Sequence, residues 1–141
     1  MVSGAYAGDV SPREAWDLLA TEANAVLVDV RTQPEWSFVG QPDLTKLGKR
    51  VVPLSWQVYP GMQVDAAFAD RLAGIVADRG APILFLCRSG ARSKAAAIAL
   101  TGRGYSRCYN IANGFEGGLD ADGHRGQRAG WKADGLPWVQ E

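Results

Sequence analysis

The sequence predicts an α/β domain with a mainly parallel sheet and helices on both faces. Two observations carry this. Four short apolar runs, "AVLVDV" (25–30), "RVVPL" (50–54), "PILFL" (82–86) and "RCYNI" (107–111), read as strands. Stretches of helical periodicity lie between and before them, and strands alternating with helices build parallel sheets.

The first helix starts at "SPRE", where Ser11 caps, Pro12 takes the first helical position and Glu14 completes a capping box. Trp16, Leu19, Ala20 and Ala23 recur on one face of it. "AVLVDV" ends in the polar pair Asp29 and Arg31, and Pro53 marks "RVVPL" as an edge strand or a strand end. A second helix is expected over 64–79, with Phe68, Leu72, Ile75 and Val76 as its apolar stripe and Gly80 just past its end. The alanines and Leu100 predict a third from Ser93 to Gly102. "RCYNI" reads as the final strand. "ANGFEGGLDADGHRGQRAG" (112–130) carries six glycines and shows no periodicity. Its "DADG" is not a calcium loop, because Gly118 and Ala129 stand where ligands would be needed.

A chain of 141 residues can bury a core without disulfides or metal, which predicts one domain over 1–141 with its core at about 10–138. Fifteen basic and fifteen acidic side chains cancel, so no whole-molecule field draws the protein to nucleic acid or membrane. No apolar run approaches the roughly 18 residues that cross a bilayer. The N-terminus lacks the layout of a secretory signal, and two cysteines suggest free thiols in a reducing compartment. A soluble, cytoplasmic protein without metal or cofactor is expected. Locally the charge is uneven. Between Ala81 and Phe115 stand Arg88, Arg92, Lys94, Arg103 and Arg107 and no acidic residue, a field that favours a small anion; Arg103 and Arg107 also fit plain solvated charges.

"ILFLCRSGARSKAAAIAL" (83–100) places Cys87 between a strand and a helix N-terminus. Ligands of parallel sheets sit beyond the carboxyl ends of the strands, where helices present free N–H groups. Gly90 permits a tight turn, and small Ser89 and Ala91 let the backbone curl into an anion-binding nest. The nest, the helix terminus and Arg88 or Arg92 all favour a thiolate, with no histidine needed as base. The only histidine, His124, lies in the glycine-rich stretch. A free cysteine at a strand end is more often a small core residue, but the cationic turn after it argues for chemistry.

"CRSGAR", with its strand and the "SKAAAIAL" helix, closely resembles the active-site loop of rhodanese-like sulfurtransferases. "LVDVRTQPEW" is similar to that family's Asp-x-Arg…Glu-aromatic element, and "IANGFEGGL" with "DGLPW" to its closing stretch. The resemblance implies a rhodanese fold and thiosulfate sulfurtransferase-like activity, with Cys87 as persulfide-bearing nucleophile. A small anionic donor such as thiosulfate would load Cys87, and a thiol, cyanide or a protein thiol would accept the sulfur. Backbone N–H groups from Arg88 through Ser89, Gly90, Ala91 and Arg92 to Ser93 would stabilise the persulfide. Arg88 and Arg92 would hold the donor, or Arg92 would turn away to brace the loop. Asp29 and Arg31 would pair with loop groups or with Glu35, either supporting the site or as a structural ion pair. Trp36, Trp56, Trp131 and Trp138 read as packing residues, with Trp56 placed to line the pocket mouth.

The chain departs from that family at "VGQPDLTKLGKRVVPLSW", which lacks its usual histidine, and in the long spacing before Trp131. Related phosphatases use Cys-x5-Arg, whereas Cys87 to Arg92 is Cys-x4-Arg, which argues against phosphate as substrate. A persulfide carrier and a non-catalytic interaction module remain alternatives, and Cys108 reads as a core residue rather than a resolving thiol.

Overall fold

The computed structural model describes residues 6–32, 35–36, 39–58, 63–64, 67–88, 90–116 and 130–139. In chain order the elements are β1 (Gly8–Val10), α1 (Pro12–Thr21), β2 (Val26–Asp29), β3 (Gln41–Pro42), a 3₁₀ turn (Thr45–Leu47), β4 (Val52–Pro53), β5 (Gln57–Val58) and β6 (Gln63–Val64). α2 (Phe68–Ile75), β7 (Ile83–Leu86), α3 (Ala91–Thr101), β8 (Cys108–Ile111) and β9 (Trp138–Val139) follow. Five strands form one parallel sheet in the order β1-β8-β7-β2-β4, and β3-β9 and β5-β6 are separate antiparallel pairs. The predicted α/β architecture is therefore observed.

Successive residues of the central strands point to opposite faces, so each apolar run serves two cores. Val28, Ile83 and Phe85 pack with Phe68 and Leu72 of α2 and with Ala96, Ala97 and Leu100 of α3. Leu27, Leu84, Leu86 and Ile111 pack on the other side with Ala15 and Leu19 of α1, Phe115 and Trp131. Trp131 is fully buried, meets Trp16 edge-on with ring centroids 6.0 Å apart, and donates its indole N–H to the Pro137 carbonyl at 2.7 Å. Burying a side chain of that size contributes about 3 kcal/mol.

The predicted capping box is present. Ser11 Oγ accepts the Glu14 N–H at 3.0 Å, and the Glu14 carboxylate accepts the Ser11 N–H at 2.9 Å. The buried face of α1 is Pro12, Ala15 and Leu19, with Trp16 half-buried; Ala20 and Ala23 are exposed, Ala23 because the helix has already ended. α2 is shorter than the expected 64–79, because Gln63 and Val64 pair with β5 instead. The backbone turns extended at Val76, which brings Val76 into the core and leaves Ile75 facing solvent. Gly80 lies in a later turn rather than at the helix end. α3 begins two residues earlier than expected, at Ala91, with Gly90 at its N-cap (φ +117°). β4 lies at the sheet edge, as Pro53 implied. β1 and β9 were not anticipated. β8 is consequently not the final strand, and β1 rather than β8 closes that side of the sheet.

Beyond β8 the chain reverses through Asn113 (φ 66°) and Gly114 (φ 57°), the left-handed pair of a tight turn. This turn carries the Phe115 N–H to the Cys87 carbonyl at 2.8 Å and the Glu116 N–H to the Arg88 carbonyl at 3.0 Å. A Cβ on Gly114 would lie 2.3 Å from the Cys87 carbonyl oxygen and 2.7 Å from the Arg88 carbonyl. Gly48 shares a left-handed φ (67°) but has open space around it. Gly48→Ala is therefore expected to cost about 1 kcal/mol of backbone strain, and Gly114→Ala more than about 3 kcal/mol by denaturant unfolding. Equal costs would contradict the close contact.

Candidate active site

β7 is the middle strand of the sheet, and Cys87 follows its last residue at the carboxyl end. The thiol is 1% exposed. Its sulfur accepts the Gly90 N–H at 3.0 Å and lies 3.2 Å from Ser93 Oγ. Gly90 reaches this position because its positive φ folds the loop back on the strand, with α3 starting immediately after. The first N–H groups of α3 lack partners within the helix, so the loop presents partial positive charge beside the sulfur.

The two neighbouring strands supply what surrounds the loop. At the end of β2, Arg31 and Asp29 are both fully buried and paired, Nη2 to Oδ2 at 2.7 Å and Nε to Oδ1 at 2.9 Å. Arg31 also donates to the Gly40 carbonyl at 2.6 Å and lies over the Phe115 ring at 4.3 Å. The pair thus supports Phe115, whose N–H holds Cys87. Arg31 does not bond Glu35, one of the partners expected from the sequence. Such a buried pair costs desolvation and is strongly destabilising to break by halves.

Glu35 instead takes Arg92. The guanidinium makes a bidentate pair with the carboxylate at 2.7 and 2.9 Å, both side chains being largely covered. Thr32 donates its N–H and hydroxyl to the same carboxylate at 3.2 and 3.0 Å. Burial pushes the Glu35 carboxyl up, but Arg92 and Thr32 outweigh it and hold it at about 2. Arg92 is correspondingly held charged by the Glu35 hydrogen bonds, against burial. Of the two arginines the sequence offered for anion binding, Arg92 is thus paired with Glu35. Arg88 is exposed, and among the described residues its guanidinium has no partner. Gly90 caps α3, Ala91 begins it and Ser93 is buried in its first turn, while Ser89 and His124 lie outside the described residues.

Arg107 pairs with Glu22 and Arg103 with Asp70, so both are structural or surface charges away from the loop. Cys108 opens β8 opposite Ile83, at the other end of β7 from Cys87. It is fully buried, and burial pushes its thiol up to about 11. Trp56 packs edge-on against Phe68 at 5.1 Å, as part of the core around α2. Trp138 is 40% exposed, edge-on to Phe115 at 6.1 Å. The sequence reading missed Asn110, whose Oδ1 lies 2.6 Å from Ser93 Oγ; the signal was a polar residue inside an apolar strand.

The Glu35 carboxyl has a sign-defined consequence. Its folded value lies below the unfolded value of about 4.3, so its stabilisation is complete above that pH and is lost as pH falls toward 2. Glu35→Gln is expected to be less stable than the parent by about 2 kcal/mol at neutral pH, the gap closing by pH 2 in acid unfolding. A pH-independent gap would contradict the ion pair.

Residues 7–141 match the family described as the STR4 middle domain. An uncharacterized protein of Rickettsia conorii is 44% identical over 131 residues, covering 92% of this chain and 95% of that protein. A thiosulfate sulfurtransferase GlpE of Actinobacillus succinogenes is 29% identical, covering 92% and 87%. The crystal structure of Rv0390 from M. tuberculosis superposes with a TM-score of 0.88 at 47% identity, covering 97% of this chain and all of that one. The polysulfide-sulfur transferase homodimer of Wolinella succinogenes superposes with a TM-score of 0.66 at 25% identity, covering 94% and 78%. No helix among the described residues is long and apolar enough to cross a membrane. The chain has a rhodanese-like fold and belongs to the STR4 middle-domain family.

Proposed function

We propose that the protein is a sulfurtransferase that carries a sulfane sulfur as a persulfide on Cys87. The observation that carries this reading is the sulfur at the carboxyl end of the central strand, with the Gly90 N–H aimed at it from 3.0 Å and α3 starting beside it. A thiosulfate sulfurtransferase among its relatives and a polysulfide-sulfur transferase that superposes on it support this reading.

The Cys87 thiolate attacks the outer sulfur of a donor such as thiosulfate. A new S–S bond forms, the donor's S–S bond breaks, and its electron pair leaves with sulfite. The persulfide is anionic at its terminal sulfur, and N–H groups of the loop from Arg88 to Ser93 stabilise it as fixed dipoles. An acceptor thiol or cyanide then attacks that terminal sulfur, and the Cys87 thiolate leaves. Sulfur passes without net oxidation of the protein. Cys108 is too buried and too weakly acidic to act as acceptor, so the acceptor comes from outside the chain. Arg88, exposed and without a partner among the described residues, holds the donor's charge, and Arg92 with Glu35 fixes the loop. Both cysteines are free, which suits a reducing compartment such as the cytoplasm.

Incubation with thiosulfate is expected to add one sulfur atom to the intact mass, reversibly by reductant and not in Cys87→Ser. No adduct with thiosulfate, polysulfide or other sulfane donors would refute the assignment. Arg88→Ala is expected to raise the KM for thiosulfate about tenfold with stability unchanged. Arg92→Ala is expected instead to lower stability, by thermal unfolding, because it leaves Glu35 buried without its partner. The reverse pattern would exchange their roles.

A further inference from the structure

The Ser93 hydroxyl has one proton and three acceptors around it. Asn110 Oδ1 lies at 2.6 Å, the Gly90 carbonyl at 3.2 Å and the Cys87 sulfur at 3.2 Å. Which acceptor receives the proton is decided one step further out. The other end of the Asn110 amide, Nδ2, donates to Asp9 Oδ1 at 3.0 Å, an oxygen that also accepts the Tyr6 hydroxyl at 2.7 Å. An ionised carboxylate can only accept, so the NH2 of Asn110 must face Asp9 and its carbonyl must face Ser93. Two oxygens 2.6 Å apart require a proton between them. The Ser93 proton is therefore committed to Asn110, and the hydroxyl turns a lone pair toward Cys87.

The strand register builds this chain. Asp9 on β1 is the partner of Asn110 on β8, and Asn110 is the partner of Phe85 on β7, two residues before Cys87. The line runs from exposed Asp9 to the nearly inaccessible thiol across three adjacent strands.

We propose that Asp9, acting through Asn110, sets the direction of the Ser93 hydroxyl and so restrains ionisation of resting Cys87. Asp9 and Asn110 are then positioning residues for the nucleophile. With Ser93 turned away, the Gly90 N–H donates to a thiolate, whereas Ser93 can only accept from the thiol. Releasing Asn110 would give the sulfur a second donor. The inference deepens the sulfurtransferase reading and rests on it for its role in turnover.

Among the described residues, several charged groups stand around both ends. Arg92 from α3 acts on Cys87 by its charge, and the Asp29–Arg31 pair stands at the end of adjacent β2, with Arg88 and Glu35 flanking the loop. Asp9 is held below the usual carboxylate range by the Tyr6 and Asn110 hydrogen bonds, against desolvation, with Lys94 of α3 adding its charge. It is therefore ionised at neutral pH, as the direction of the chain requires.

The test is the pH dependence of Cys87 alkylation by iodoacetamide, read by mass on the Cys87 peptide of the whole protein. In Asp9→Asn the Asn110 amide is free to turn its NH2 to Ser93, and the pH of half-maximal rate is expected to fall by about one unit. In a Ser93→Ala background the same change is expected to move it by less than about 0.3 unit. An equal fall in both backgrounds would show that Asp9 acts only through its charge, and no fall in either would show no action; each overturns the proposal. Asn110→Ala is a second route, which alters no charge and frees the Ser93 proton. The half-point is expected to fall there too, and a rise or no change in a folded variant overturns the proposal. Thiosulfate loading of the same variants is scored separately. An alkylation shift without loading would sink the sulfurtransferase reading while supporting the coupling.

Discussion

Two backbone hydrogen bonds, from Phe115 to the Cys87 carbonyl and from Glu116 to the Arg88 carbonyl, fix the end of the central strand where Cys87 sits. They form only because the turn at Asn113 and Gly114 folds back against the loop with no side chain at Gly114 to intervene. The rest of the site is arranged on this clamp. Phe115 is held by Arg31, Arg31 by Asp29, and Arg92 by Glu35, so the loop is tied to the segment after β2 on one side and to the turn after β8 on the other. The proposed cradle for one sulfur atom would depend on fixed N–H groups, and fixed N–H groups depend on that backbone.

The electrostatics follow the same division of labour. The cationic stretch from Arg88 to Arg107 suggested a general anion field, yet most of its charge is spoken for. Arg92, Arg103 and Arg107 each meet a carboxylate contributed by a distant part of the chain. What remains is local: an exposed arginine at the loop, Lys94 of α3 near Asp9 and Tyr6, the dipole end of α3 and one N–H directed at sulfur. This suits the small anionic donor of the proposed reaction.

The sequence made the sheet, its central strands and the Cys87 loop legible, because each is a local pattern: an apolar run, a capping box, a glycine between small residues. What it hid was nonlocal. β1 and β9 are two or three residues long and exist only through their partners, so no periodicity could announce them. α2 lost its expected first turn because β6 pairs with β5. Glu35 and Arg92 are 57 positions apart, and Asp9 and Asn110 are 101 apart. The departures from expectation share a cause. A residue's partner across the sheet decides its role, and the sequence near it does not name that partner.

The proposed reaction requires this loop to hold one extra sulfur on Cys87. A crystal structure of the protein treated with thiosulfate tests it most directly. Density for a single sulfur beyond Cys87 Sγ is expected, within hydrogen-bond reach of the N–H groups between Arg88 and Ser93. Density for an added sulfur on Cys108, or an unmodified Cys87 under conditions that support turnover, would contradict it.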